Sequence, residues 1–340
     1  MARALVTGAT GFVGRHLVAA LLARGDQVRC LVRAGSSVGA LEAPGTCEVV
    51  RGDVLDEGSV VAAVAGVDVV YHAAAFLRAP WMSAFRRINV DGVGVVARAC
   101  AQAARGPALV VVSSMAAAGP SVGGRPRAES TPPGPVSIYG QCKLDGEAQA
   151  ALLAGSVPVS IVRPPGVFGA GDPFLPKMFA MVERGWQVIP TPASARMSMI
   201  HVEELARFLI QVGEEGERVS GEVVAGAGGE VGQGVYHFAH PEVTSMREMG
   251  EVVAAELGVE RVRRVKVPPW ALRGLGALGE LGGRVRGRPS ALTRDKVREA
   301  LAEGWICDVS KSMNDLGFSF EMGLDERLRR AAAAWRSGRA

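Results

Sequence analysis

Short apolar runs alternate with stretches of helical period, and this alternation constrains the fold more than any other feature. Ala4-Leu5-Val6 is the first run; the others span residues 28–32, 48–50, 68–71, 109–112 and 159–162. Their length and valine content suit strands buried on both faces. Between most of them apolar residues recur three and four apart, notably over 88–104 and 138–154. In the first interval Val13, Leu17, Ala20 and Leu21 share one side, and Gly25 closes the segment like a helix C-terminus. Strand–helix alternation builds βαβ units, hence a parallel sheet with helices on both faces. Right-handed crossovers make that sheet doubly wound, with ligands at the carboxyl ends of its strands.

After Arg163 the rhythm breaks. Residues 164–176 are rich in Pro and Gly, glycines crowd 213–234, and helical patterns follow over 246–257, 292–301, 310–316 and 324–335. Residues 1–165, with 197–240 returning to them, are read as the sheet domain. Residues 166–196 and 241–340 are read as a smaller, mostly helical C-terminal cap. A length of 340 residues accommodates this division. At 48% apolar and 21% charged residues, the chain is not disordered. A net charge of +4 is too weak to argue for nucleic acid, and no apolar run approaches the ~18 residues of a transmembrane segment. The opening Met1-Ala2-Arg3 enters a strand at once, which predicts no signal peptide. Five cysteines without a CxxC pair fit a reducing, cytoplasmic setting.

Thr7-Gly8-Ala9-Thr10-Gly11-Phe12-Val13-Gly14 joins the first strand to the first helix. A dinucleotide pyrophosphate needs a tight turn, backbone without a Cβ in the way, and the free N–H groups of a helix N-terminus. Gly8, Gly11 and Gly14 meet those needs, with Thr7, Thr10, Phe12 and Val13 around them. The end of the second strand selects the dinucleotide. A carboxylate there would bind the ribose hydroxyls of NAD, but the sequence reads Val32-Arg33. A guanidinium suits a 2′-phosphate, so NADP(H) is expected over NAD(H).

Tyr139-Gly140-Gln141-Cys142-Lys143 puts a phenol and an ammonium four apart, on one helix face. The ammonium is expected to favour phenolate, drawing the phenol below its ordinary pKa of about 10. Ser113-Ser114 ends the fifth strand, where a hydroxyl can bond a substrate oxygen.

In order along the chain, these features resemble an extended short-chain dehydrogenase/reductase, of the NAD(P)-dependent epimerase/dehydratase superfamily, which has a Rossmann fold. Residues 7–14 match TGxxGxxG. Gly52-Asp53-Val54 resembles the adenine-binding segment, His72-Ala73-Ala74-Ala75 the HxAA stretch beside the cofactor, and Asn89-Val90-Asp91-Gly92 the NVxG segment. Val112-Ser113-Ser114 resembles the serine strand, and Tyr139 with Lys143 the catalytic pair. Residues 163–169, with Pro164 and Val167, resemble RPxxVYG beside the nicotinamide, and residues 201–206 resemble HVxD with Glu204 for Asp. Cys142 for Ser and Phe168 for Tyr are the departures. The late segments, 268–293 and 305–318, look most like the 3β-hydroxysteroid dehydrogenase and dihydroflavonol reductase branch.

The resemblance implies hydride transfer between NADP(H) and a ketone or secondary alcohol, with Tyr139 as acid/base, Ser114 orienting the oxygen and Lys143 holding the ribose. Cofactor contacts from Asp53, Val54, Ala73, Ala74, Ala75, Asn89, Val112, Ser113, Pro164 and Val167 follow from it. A largely apolar small-molecule substrate is expected, because Phe76 and Trp81 follow the fourth strand and Phe174 follows the Pro/Gly loop. Ser114 and Gly166 complete the expected substrate contacts, and an apolar stripe at Trp270, Ala271, Leu275 and Leu278 extends the set. The histidines lack metal-site spacing, so no metal is expected. The arginines at 284, 286 and 288 are read as a surface loop, and those at 261, 263 and 264 as a solvated strand face. A homodimer is compatible with this reading. The alternatives are a nucleotide-sugar epimerase or dehydratase, and a non-catalytic cofactor-sensing protein.

Overall fold

The computed structural model describes the chain except residues 43–46, 78–81, 191–194, 221–230, 287–289, 291 and 339–340. Strands β1 (Arg3–Thr7), β2 (Gln27–Val32), β3 (Glu48–Arg51), β4 (Val69–His72), β5 (Ala108–Val112) and β6 (Val159–Arg163) match the expected runs within a residue or two. Further along lie β7 (Gly166–Phe168), β8 (Trp186–Pro190), β9 (Arg196–His201), β10 (Val235–His237), β11 (Val243–Ser245), β12 (Arg263–Val267) and β13 (Gly304–Trp305). The main sheet has the order β3-β2-β1-β4-β5-β6-β10, and every pairing in it is parallel. The order reverses between β1 and β4, where Thr7 stands beside His72, so the ligand crevice of a doubly wound sheet opens there.

The first helices are α1 (Phe12–Ala23), α2 (Glu57–Val64), α3 (Met82–Arg86), α4 (Gly92–Gln102), α5 (Met115–Ala118), α6 (Ile138–Ala151), α7 (Leu175–Glu183) and α8 (Val202–Glu215). Leu17 and Leu21 of α1 join Phe208 and Leu209 of α8 in one core against the sheet. Val60 of α2, Val96 of α4 and Ala150 of α6 join the core on the other face. Both faces of the central strands are therefore dry, which is why those strands read as unbroken apolar runs.

The expected helix over 88–104 is divided. Residues Arg87–Asp91 form a π-helical turn ahead of α4. Asn89 causes the local widening: its side chain accepts from Phe76 N and donates to Phe76 O, both at 3.0 Å. Such turns are common where a side chain must leave the regular ladder for a site.

Beyond β6 helix predominates in the segments read as the cap, as expected, and a few short strands accompany it. Strand β9 pairs in parallel with β7 and β13 and antiparallel with β11, while β8 pairs with β12. The helices here are α9 (Met246–Glu256), α10 (Pro269–Arg286), α11 (Arg294–Ala300), α12 (Ser310–Leu316) and α13 (Leu324–Arg336). Phe168, Phe179, Met199, Val253 and Leu328 centre a separate core. Among the described residues no helix is long and apolar enough to cross a membrane.

Candidate active site

At the crevice, Gly11 N donates to Gly8 O at 2.9 Å and closes the turn before α1. Gly8 has φ +73°, and a Cβ on it would lie 2.7 Å from the Ala73 carbonyl carbon. A Cβ on Gly14 would lie 2.1 Å from Gly8 O. Neither position admits a side chain. No side chain caps the start of α1, so its N–H groups are oriented as an anion requires. Thr7 Oγ1 meets His72 Nδ1 at 2.9 Å and accepts from Ala74 N at 3.3 Å, tying the turn to residues 73–74. Burial, with the charge of Lys143 adding to it, pushes the His72 imidazole down to about 3. Arg15 and His16 of α1 bond the carbonyls of Gly171 and Ala170, at 3.0 and 2.9 Å, which fixes the loop after β7 beside the turn. These residues fit a dinucleotide pyrophosphate.

The ends of β2 and β3 form an open cleft of about 730 Å³ lined by Arg33, Ala34, Gly35, Ser36, Arg51, Gly52 and Asp53. Arg33 is exposed, with its guanidinium 5.7 Å from the centre of the Phe76 ring. Phe76, expected against substrate, is thus turned toward this cleft. Arg51 was not singled out in the sequence, although it pairs in register with Val32, one residue before Arg33. Asp53 Oδ1 accepts from Leu55 N at 2.9 Å.

Ser114, Tyr139 and Lys143 come together at the end of β5. Tyr139 is only 6% exposed, and the Ser114 hydroxyl is near enough to its phenol to draw the pKa down. Ser114 Oγ also accepts from Ala116 N at 3.1 Å, capping α5. Lys143 Nζ donates to Val112 O at 2.7 Å, two residues before Ser114. The phenol departs from expectation. Burial pushes it well above its ordinary value, the Ser114 hydroxyl pulls the other way, and the Glu299 charge adds to the rise. Lys143 is drawn down to about 8 by its own burial, against the pull of Glu147. Burial therefore outweighs the ammonium field that the four-residue spacing suggested. Beside them, Ser113 donates to Glu147, whose carboxylate also holds buried Arg163, with Nε to Oε1 at 2.9 Å. The Ser113 hydroxyl is committed there.

Three residues of α11 complete the site, and no motif announced them. Asp295 accepts from Ile138 N at 2.7 Å and Tyr139 N at 3.2 Å, while Ser137 Oγ accepts from Gly140 N at 2.9 Å. Together they satisfy the exposed donors at the start of α6. Lys296 Nζ lies 4.7 Å from the Tyr139 ring centre and 2.7 Å from Glu299 Oε2. Glu299 Oε1 is buried without a hydrogen-bond partner. The one available signal was Thr293, a helix cap two residues before Asp295; its Oγ1 accepts from Lys296 N at 3.3 Å.

The other expected substrate contacts are dispersed. Gly166 packs so closely on β9 that a Cβ would lie 2.6 Å from Met199 Sδ. Phe174 is 46% exposed at the start of α7. Trp81 lies outside the described residues. Trp270, Leu275 and Leu278 are on a helix but face outward, not into a pocket.

A sequence profile described as the NAD dependent epimerase/dehydratase family matches residues 4–226. The chain belongs to this family. It is similar to ceramide reductase of Caulobacter vibrioides, 32% identical over 314 residues, covering 88% of this chain and 84% of that protein. It is also similar to 2-alkyl-3-oxoalkanoate reductase of Stenotrophomonas maltophilia, 30% identical over 349 residues, covering 97% and 98% of the two chains. UDP-glucuronic acid 4-epimerase from Bacillus cereus, solved in complex with NAD, shares the fold with a TM-score of 0.74 at 18% identity, over 99% of this chain and 100% of that one. The chain is thus an oxidoreductase of the epimerase/dehydratase superfamily, of the extended short-chain dehydrogenase/reductase type.

Proposed function

We propose that this protein is an NADP(H)-dependent reductase of a large, apolar ketone. The observation that carries the reading is the convergence of the Ser114 hydroxyl on the buried Tyr139 phenol, with Lys143 one helical turn further along α6. Bound NADPH would supply the hydride to the carbonyl carbon. The Tyr139 hydroxyl gives its proton to the substrate oxygen, the Ser114 hydroxyl donates a hydrogen bond to the same oxygen, and Lys143 holds the nicotinamide ribose. A phenol raised by burial stays protonated at neutral pH, as a proton donor must be. Residues 1–165 with 197–240 would bind the cofactor, and the remainder the substrate.

Preference for NADPH is supported by Arg33 and Arg51 on the cleft at the ends of β2 and β3. An apolar substrate is supported by two full-length relatives named for the reduction of ceramide and 2-alkyl-3-oxoalkanoate. The test is NADPH consumption with long-chain 3-oxo compounds and sterol ketones, with UDP and GDP as competitors. Turnover of the apolar ketones with NADPH supports the reading. Strong inhibition by a nucleoside diphosphate, with no turnover of any apolar ketone, assigns the protein to the sugar-nucleotide enzymes instead.

A further inference from the structure

Helix α10 has its small residues inside and its large ones outside. Toward the protein it presents Leu272, Gly276 and Gly279: a Cβ on Gly276 would lie 2.8 Å from Val297 Cγ2, and one on Gly279 would lie 2.2 Å from Leu292 O. Away from the protein it presents Trp270, Leu278 and Leu281, which are 75%, 68% and 60% exposed. Their spacing puts all three on the side opposite Gly276 and Gly279. A surface helix ordinarily packs its bulky apolar stripe inward and leaves polar residues outside.

The surroundings are basic. Arg273 and Arg286 are exposed on the helix itself, as are Arg261, Arg263 and Lys266 on or beside strand β12, which leads into it. Glu280 is the one carboxylate between residues 261 and 286, and it stands 4.0 Å from Arg294. On the neighbouring strand Trp186 is exposed as well, with Arg263 5.4 Å from its ring centre.

We propose that this face of α10 and β12 rests on an anionic lipid surface, with Trp270, Leu278 and Leu281 among the acyl chains and the basic residues at the headgroups. Outward bulky apolar residues bordered by Arg and Lys form the pattern of a helix lying in a membrane interface. A second copy fits less well, because a two-fold contact would bring the same basic border against itself. The helix also packs on α11, whose Lys296 faces Tyr139, so the lipid would lie one helix away from the candidate active site.

Vesicle binding is read without turnover, so this inference stands apart from the proposed reaction. The full chain is sedimented with vesicles of phosphatidylcholine alone and with about one-third phosphatidylglycerol, at low and high salt. The expected result is binding to the anionic vesicles about tenfold or more above the neutral ones, weakened by salt. Leu278→Glu with Leu281→Glu should lower it by at least tenfold, while the melting temperature and NADPH affinity hold. Absence of binding by the wild type, or equal binding by the double variant, overturns the proposal. So does a dimer in sedimentation velocity that the double variant dissociates, if neither protein binds vesicles; the face then belongs to a second copy.

Discussion

The ammonium of Lys296 stands 4.7 Å from the centre of the Tyr139 ring. It reaches the phenol from a different part of the chain than Lys143 does, and it is paired with a carboxylate, Glu299, that raises the phenol pKa. Besides Lys143, Tyr139 has near it the Ser114 hydroxyl, the uncharged Phe85 ring, and Asp295, occupied by backbone N–H groups. The pair should therefore act on the phenol with opposite signs. Lys296→Met is expected to raise the Tyr139 pKa by roughly one unit and Glu299→Gln to lower it. NMR titration of ring-labelled tyrosine measures this without substrate, the signal being assigned with Tyr139→Phe. Shifts in the same direction would mean that the pair acts only by shape.

Tyr139→Phe keeps the ring under Lys296 and removes the hydroxyl. Turnover should fall by about two orders of magnitude or more, while NADPH affinity changes little. Near-normal kcat in this variant would end the proton-donor assignment.

Arg33 lines the cleft at the ends of β2 and β3, on a different strand from the one that leads to Ser114. Arg33→Ala should cut the preference for NADPH over NADH by about one to two orders of magnitude, the worth of a charged hydrogen bond. Arg51→Ala should have a smaller effect in the same sense. Calorimetry with both cofactors measures each ratio; equal affinities in the wild type would refute the 2′-phosphate reading.

Asp295→Ala removes two acceptors from the start of α6 and should cost about 1–2 kcal/mol, seen as a melting temperature lower by a few degrees. Asp295→Asn keeps an acceptor oxygen and should recover most of the loss. Activity should follow the same order, because the affected turn carries Tyr139.

Three histidines are held neutral by burial: His72 and His237 at about 3 and His201 at about 4. In the unfolded chain they take up protons near pH 6.5. Below that pH the unfolded state binds protons the folded state refuses, so stability falls from about pH 6.5 toward 4. Each histidine contributes up to roughly 1.4 kcal/mol per pH unit. Urea midpoints between pH 7.5 and 5 measure the slope; a flat profile would contradict the burial of these rings.

The main sheet was legible because its central strands are dry on both faces, so their composition alone marks them. The glycine turn was legible for a related reason, since backbone that must approach Ala73 leaves Gly8 no alternative. What escaped depends on distance. Asp295 reaches Ile138 across 157 positions, and no period or spacing carries that information. The phenol was misjudged because a four-residue spacing conveys charge but not burial. Helix α10 was read as part of a pocket because hydrophobicity records what a face is made of and not which way it turns. Its glycines held the missing direction, since Gly276 and Gly279 mark the side that another backbone approaches.

The reach of Asp295 also bears on when the enzyme can first act. A chain is made from its N-terminus, and every strand of the main sheet ends before residue 238. The sheet's core is nevertheless closed later, because Leu316 and Phe318 complete it on the α8 face. The first turn of α6, with Tyr139 on it, lacks its acidic cap until residue 295 has emerged from the ribosome. The core of the sheet and the turn that carries Tyr139 are thus both completed only by residues that follow the sheet's last strand.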